Sequence, residues 1–121
     1  MTFLRHGFAN KEGSALASGN YDERIIKVCE GIAALVQPVR IILFHSRFHL
    51  SGELEGFKLC VIVNQTDCYK IEQKIYLNVE CDVSYDVLVY NRDLWDSLMS
   101  DPCSFASRGI QNGGVVLYES E

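Results

Sequence analysis

The sequence has little positive charge, and the charge that it has is not concentrated. Lysine and arginine together number 11 against 16 aspartates and glutamates, which gives a net charge of −5 at pH 7. No run of basic residues offsets this excess of acid. Because a nucleic acid backbone is held by clustered lysines and arginines, the composition argues against nucleic acid as a general partner.

Long apolar segments and paired cysteines are also missing. No apolar run reaches the roughly 20 residues that span a bilayer, and the first residues lack the continuous apolar stretch of a signal peptide. The five cysteines form no C-x-x-C pair, and an odd number cannot close completely into intrachain disulfides. We therefore expect reduced thiols, a cytoplasmic location and no membrane partner.

The signatures of several enzyme classes are absent as well. The chain contains no G-x-S-x-G elbow, P-loop, G-x-G-x-x-G turn or H-E-x-x-H zinc motif. No cysteine is marked by its neighbours as an activated nucleophile. The candidate chemistry therefore has to come from the order and spacing of the secondary structure elements.

The chain of 121 residues is long enough for one domain. Residues 1–20 mix glycine, serine and asparagine without periodicity and predict a loosely held arm, so that the domain spans 21–121. Within it, helices are predicted to alternate with strands, which favours one sheet covered by helices. Periodicity, caps and breakers predict four helices: 21–36 (capped by Asn20), 67–77, a short helix that Asn91 caps and that stops near 101–102, and about 104–112. They predict strands at 39–44, 57–63, 82–90 and 115–118.

The stretch IILFHSRFHLSGELEGFKLCVIV, residues 41–63, combines an apolar strand, a short polar segment and a second strand. Followed by DVLVY at 86–90 and by GGVVLYE near the end, this order resembles the minimal nucleotidyltransferases of the DNA polymerase beta-like superfamily. The resemblance covers about residues 21–119. It implies an α/β fold in which a mixed sheet is flanked by helices.

The resemblance also locates the metal-binding positions of the family. It places two aspartates one residue apart at Phe57 and Leu59, and a third carboxylate at Asp86. In the family these carboxylates hold two divalent ions about 4 Å apart that carry out the transfer. The hydrocarbon side chains of Phe57 and Leu59 cannot bind magnesium. Asp86 would then be the only carboxylate of the three, with a vestigial or purely structural role. We therefore expect no catalytic residue, metal or cofactor, and a degenerate member that acts as a binding or interaction module.

The Gly-Ser pair that meets the nucleotide in the family is changed to His45-Ser46. His45, Ser46 and Arg47 remain a candidate nucleotide-binding segment, because a hydroxyl and a guanidinium donate hydrogen bonds to phosphate. Alternatively, Ser46 caps a short helix that follows the first strand, and Arg47 lies on the surface. The resemblance further suggests two kinds of partner: a helical protein, as in some toxin–antitoxin pairs, or a second copy of the chain.

An active enzyme is the first alternative. Glu53 and Glu55 are a carboxylate pair two residues apart that could join Asp86 in holding Mg²⁺ if the second strand slipped in register. Such a slip would move the apolar run 59–63 out of its buried layer.

A transition-metal site is the second alternative. His45 and His49, four residues apart, would share one face of a helix and could bind a metal together with Cys60.

Overall fold

The computed structural model describes residues 21–120. Four strands, three α-helices and one π-helical segment follow each other along this part of the chain. They are α1 (Glu23–Val36), β1 (Arg40–Phe48), β2 (Leu54–Val63), α2 (Cys68–Asn78), β3 (Ser84–Asn91), α3 (Arg92–Met99), the π-helical segment (Ala106–Gln111) and β4 (Val115–Glu119).

A polar capping residue precedes each of the three α-helices. The carboxylate of Asp22 accepts a hydrogen bond from the backbone N–H of Arg24, so Asp22 is the cap of α1 and not a first-turn residue as predicted. The predicted cap Asn20 lies outside the described residues. Asp67 caps α2, and Asn91 caps α3 as the sequence predicts. These oxygens satisfy N–H groups that the first helical turn leaves without a partner.

The strands form one mixed sheet in the order β3-β2-β1-β4. β2 and β3 are parallel, whereas β1 runs antiparallel to both β2 and β4. A parallel pair needs a crossover between its strands, and α2 supplies it. The predicted fold class, an α/β arrangement with a mixed sheet and flanking helices, is confirmed.

Both sides of the sheet carry a buried layer. On one side, hereafter the α1–α2 side, alternate strand residues such as Phe57 and Leu59 pack with α1 and α2. On the other, the α3 side, Trp95 of α3 and Ile110 of the π-helical segment pack on Ile42, Cys60 and Ile62. The second layer is smaller, and it covers only part of its side of the sheet.

The polar segment after the first strand is strand and turn, so the predicted helix after Ser46 is wrong. β1 continues through Phe48, and a short connection returns the chain at Leu54. Gly52 takes the left-handed conformation, with φ 95°, that this turn requires. Pairing with β2 satisfies the backbone of this segment, and Ser46 lies opposite Phe57 and caps no helix.

An extra residue interrupts the pairing of β1 with β2. Leu43 lies opposite Leu59, but His45 lies opposite Lys58, so Phe44 has no partner residue. Such a bulge places the next residue on the other side of the sheet. His45 therefore lies on the α3 side, although Leu43, two residues earlier, belongs to the α1–α2 layer.

Candidate binding face

Two rows of residues cross β1, β2 and β3 beyond the part of the sheet that α3 covers. Paired residues in neighbouring strands share a side of the sheet, and the register aligns one residue from each strand in each row. We call this surface the open face; its rows are His45–Lys58–Asp86 and Arg47–Gly56–Ser84.

The side chains of the open face are accessible. His45, Arg47 and Asp86 are exposed, and Lys58 is half-buried. Within residues 21–120 the ion pairs of 4.0 Å or shorter join other groups, such as Arg40 with Glu119, so none engages these four residues. Counting histidine as neutral, the open face carries one net positive charge in a chain of net charge −5. It is therefore a local cationic surface on an acidic protein.

Gly56 allows Arg47 to lie across the sheet. A Cβ atom at Gly56 would lie only 2.9 Å from Nη2 of Arg47 and 3.0 Å from the carbonyl oxygen of Ser84. The guanidinium thus rests directly on the glycine backbone, close to the row that holds Lys58. A larger residue at Gly56 would push the guanidinium away from that position.

The structure separates the three positions that the resemblance grouped into one metal site. Phe57 lies opposite Tyr85 on the α1–α2 side, where it is 1% exposed and its ring stacks on that of Tyr85 at 5.7 Å. Leu59 belongs to the same buried layer. Asp86 lies on the α3 side, because its partner in β2 is Lys58. Phe57, Leu59 and Asp86 therefore do not face one another.

The paired β2 residues on the same side as Asp86 are Gly56, Lys58, Cys60 and Ile62. None of them is a carboxylate. The β2 positions that share a side with Asp86 in the structure therefore lack a pair of metal-binding acids. The positions that the resemblance predicted, Phe57 and Leu59, lack them as well.

Of the two glutamates that could replace the missing metal ligands, Glu53 lies apart from Asp86. Glu53 is in the β1–β2 turn, where its backbone carbonyl oxygen accepts a hydrogen bond from the N–H of His49. It precedes Lys58, the partner of Asp86, by five residues, a distance of about 16 Å along an extended chain. Glu55 is an exposed residue at the second irregularity between β1 and β2. The structure does not bring Glu53 and Asp86 together.

The predicted transition-metal ligands do not converge either. His45 and His49 are separated by an extended chain and not by one helical turn, a distance of about 13 Å at strand geometry. Cys60 is fully buried, and burial raises the pKa of its thiol to about 12, which disfavours the thiolate that a metal needs. Among residues 21–120 no group of three histidine, cysteine or acidic side chains could hold a metal ion.

Sequence reasoning missed two aromatic residues beside the open face. Phe105, just before the π-helical segment, is 59% exposed, and its ring meets that of Phe44 edge to face with centroids 6.2 Å apart. Phe44 is the bulged residue next to His45. An isolated phenylalanine in the polar stretch 100–109, four residues before Gly109, was the available signal.

Comparisons with known protein families, with curated proteins and with solved structures find no match. Within residues 21–120, no helix is both long and apolar enough to cross a bilayer.

Proposed function

We propose that this chain is a binding module that holds a phosphate-bearing ligand on the open face and does not transfer nucleotides. The observation that carries the proposal is the grouping of His45, Arg47 and Lys58 on one accessible side of the sheet, around a single carboxylate. Ser46, the third residue of the predicted binding segment, is not included, because it lies opposite Phe57.

The geometry suits an anion. Adjacent strands are about 4.8 Å apart and alternate residues about 7 Å apart, so the three side chains can reach one group of phosphate oxygens. A guanidinium donates two parallel hydrogen bonds to such oxygens, and an ammonium adds a compact charge. Because Arg47 and Lys58 have no ion-pair partner within residues 21–120, binding an anion breaks no existing pair there.

The enzyme alternative has less support. Two magnesium ions need several oxygen ligands in near-octahedral geometry, and Asp86 is the only carboxylate on the open face. Glu53 lies in the β1–β2 turn, away from Asp86. A binding module without transfer activity is also what the resemblance to the minimal nucleotidyltransferases predicts for a degenerate member. A helical partner and self-association remain predictions from that resemblance, and a reducing compartment such as the cytoplasm would suit the five free cysteines.

Isothermal titration with inorganic tripolyphosphate, in EDTA and in magnesium, tests the proposal. We expect binding in EDTA that Arg47→Ala and Lys58→Ala each weaken about five- to tenfold, since each removes a charge-assisted hydrogen bond. Lys74→Ala is the matched control: it removes an exposed lysine from α2 and should leave the affinity unchanged.

The Asp86→Asn variant distinguishes the proposed phosphate-binding module from a magnesium-dependent enzyme. At about 6 Å in water, removing the repulsion between the carboxylate and one ligand charge is worth about 0.7 kcal/mol, a roughly threefold gain in affinity. An enzyme would instead bind ATP only with magnesium and would lose that binding in the variant. Magnesium-dependent binding abolished by Asp86→Asn, or no binding of any phosphate, would refute the proposal.

A further inference from the structure

β1 is paired on both of its edges for only part of its length. Its pairs with β4 end at Leu43, which lies opposite Val115, whereas its pairs with β2 continue to Phe48. Within residues 21–120, neither a strand nor a backbone hydrogen bond lies on the outer edge of 45–48, which faces away from β2. We call this outer edge of 45–48 the free edge. It presents unpaired N–H and C=O groups, to which an extended chain can add as a further strand.

The free edge contains the two basic residues that β1 supplies to the open face. His45 and Arg47 are exposed and two residues apart, so both lie on the α3 side. A strand added to the free edge would place alternate side chains on this same side, next to His45 and Arg47. Its side chains would therefore reach the phosphate site directly.

Charge indicates which kind of chain adds to the free edge. If a second copy paired antiparallel with the first about Ser46, His45 of each copy would lie opposite Arg47 of the other. Basic side chains directly opposite each other disfavour pairing, and charges on an edge strand protect it against self-association. The complementary partner is a strand that carries an anion on the α3 side.

The position of the guanidinium sets the length of that anionic side chain. Nη2 of Arg47 lies over Gly56 of β2, where a Cβ would be 2.9 Å away, and Lys58 belongs to the same strand. An added strand would lie about 4.8 Å from β1 on the opposite side, so its anion must extend across β1 to meet both cations. A phosphotyrosine side chain is long enough to do this, whereas the phosphate of phosphoserine stays close to its own strand.

We propose that the ligand is a phosphotyrosine within an extended segment of a partner protein, and that this segment adds to the free edge of β1. This inference rests on the proposed function, which supplies the phosphate site, and it names the class of molecule that carries the phosphate. Backbone pairing gives affinity for an extended chain, and Arg47 and Lys58 select the phosphorylated side chain.

Isothermal titration of the full chain with a short peptide that carries phosphotyrosine among valines and threonines tests the inference. We expect the peptide to bind about tenfold more tightly than free phosphotyrosine, because strand pairing adds to phosphate binding. The same peptide with every flanking residue N-methylated keeps its phosphate but loses its N–H donors, so it should bind no better than free phosphotyrosine. The unphosphorylated peptide and the phosphoserine peptide should each bind about tenfold more weakly than the phosphotyrosine peptide.

Amide exchange at 45–48, followed by NMR, locates the added strand. The outward-facing amides should exchange freely in the unbound chain, and the phosphotyrosine peptide should slow them about tenfold, whereas free phosphotyrosine should not. Arg47→Ala should weaken binding of the peptide about five- to tenfold, and the control Lys74→Ala should leave it unchanged.

Equal affinities for the peptide and for free phosphotyrosine, or unchanged exchange at 45–48, would overturn the added strand and leave the phosphate site intact. Slow exchange at the free edge in the unbound chain would reveal a different occupant and would also overturn the inference. That occupant would be a second copy if the protection rises with protein concentration, and residues 1–20 if it does not. Binding of neither tripolyphosphate nor any phosphotyrosine ligand would overturn the phosphate site and the added strand together.

Discussion

The glycine pair before β4 provides a sharp test of the packing, because its two members have opposite surroundings. A Cβ at Gly114 would collide with the carbonyl oxygen of Ile110 and would lie 2.5 Å from Cγ2 of Ile42. A Cβ at Gly113 would meet nothing within 4 Å. Neither glycine has a positive φ, so the contrast comes from space and not from backbone conformation.

We expect Gly114→Ala to lower the free energy of unfolding by about 3 kcal/mol. Overpacking a filled site costs about 1–3 kcal/mol, and the upper end applies because a backbone oxygen cannot move aside as a flexible side chain can. With an unfolding entropy of about 2.1 cal/mol/K per residue over the roughly 100 residues that the structure describes, 3 kcal/mol lowers the Tm by about 14 °C.

Gly113→Ala is the control and should raise the free energy of unfolding slightly, by up to about 1 kcal/mol, because alanine restricts the unfolded chain. Urea unfolding followed by circular dichroism measures both variants under the same conditions. If the two variants lose equal stability, or if Gly114→Ala is neutral, the close approach of β4 to the π-helical segment is wrong.

Two further predictions concern the edge strand β3 and the buried thiol of β2. Tyr76→Phe removes the hydroxyl that accepts the backbone N–H of Val87 at 2.7 Å, so it should cost about 1 kcal/mol and speed amide exchange at Val87 about fivefold. Tyr69→Phe, which removes a more exposed hydroxyl from the same helix, should cost under about 0.5 kcal/mol, and equal costs would refute the role of Tyr76. Because burial raises the pKa of Cys60 from 9.0 to about 12, its contribution is present below pH 9 and is lost as the pH rises toward 12. In urea unfolding, Cys60 should therefore add up to about 1.4 kcal/mol per pH unit to the loss of stability above pH 9, so that the slope is smaller in Cys60→Ala; equal slopes would contradict this.

Element type was largely predictable from the sequence, because local patterns determine it. The stripe of α1 that contains Cys29 and Ile32 is buried as its spacing predicts, and Asn91 caps α3 through its own side chain. The alternation in β3 also holds, with Val87 buried and Asp86 exposed. These features depend on residues close in the chain, so no knowledge of the partner strands was needed.

The composition of the site was less predictable, because it depends on strand register. A shift of one residue in the pairing of β2 with β3 decides whether Asp86 lies on the same side of the sheet as Lys58 or as Phe57. Both registers are compatible with the sequence of β2, because this central strand is buried on both sides. The apolar run of β2 gives no alternation from which to choose. Contact between Phe105 and Phe44 links residues 61 positions apart, and no local pattern indicates it.

The bulge at Phe44 acts as a phase shift in β1. Before the bulge, the odd-numbered residues Ile41 and Leu43 lie in the layer beneath α1. After it, the odd-numbered residues His45 and Arg47 lie on the α3 side, and Ser46 lies on the side of α1. Deleting Phe44 would restore an uninterrupted ladder in which His45 still lies opposite Lys58 and Arg47 opposite Gly56. Keeping Phe44 in a regular ladder without the bulge would instead exchange the two sets and direct His45 and Arg47 toward hydrocarbon. The polarity of an entire surface is thus governed by one unpaired position in the backbone.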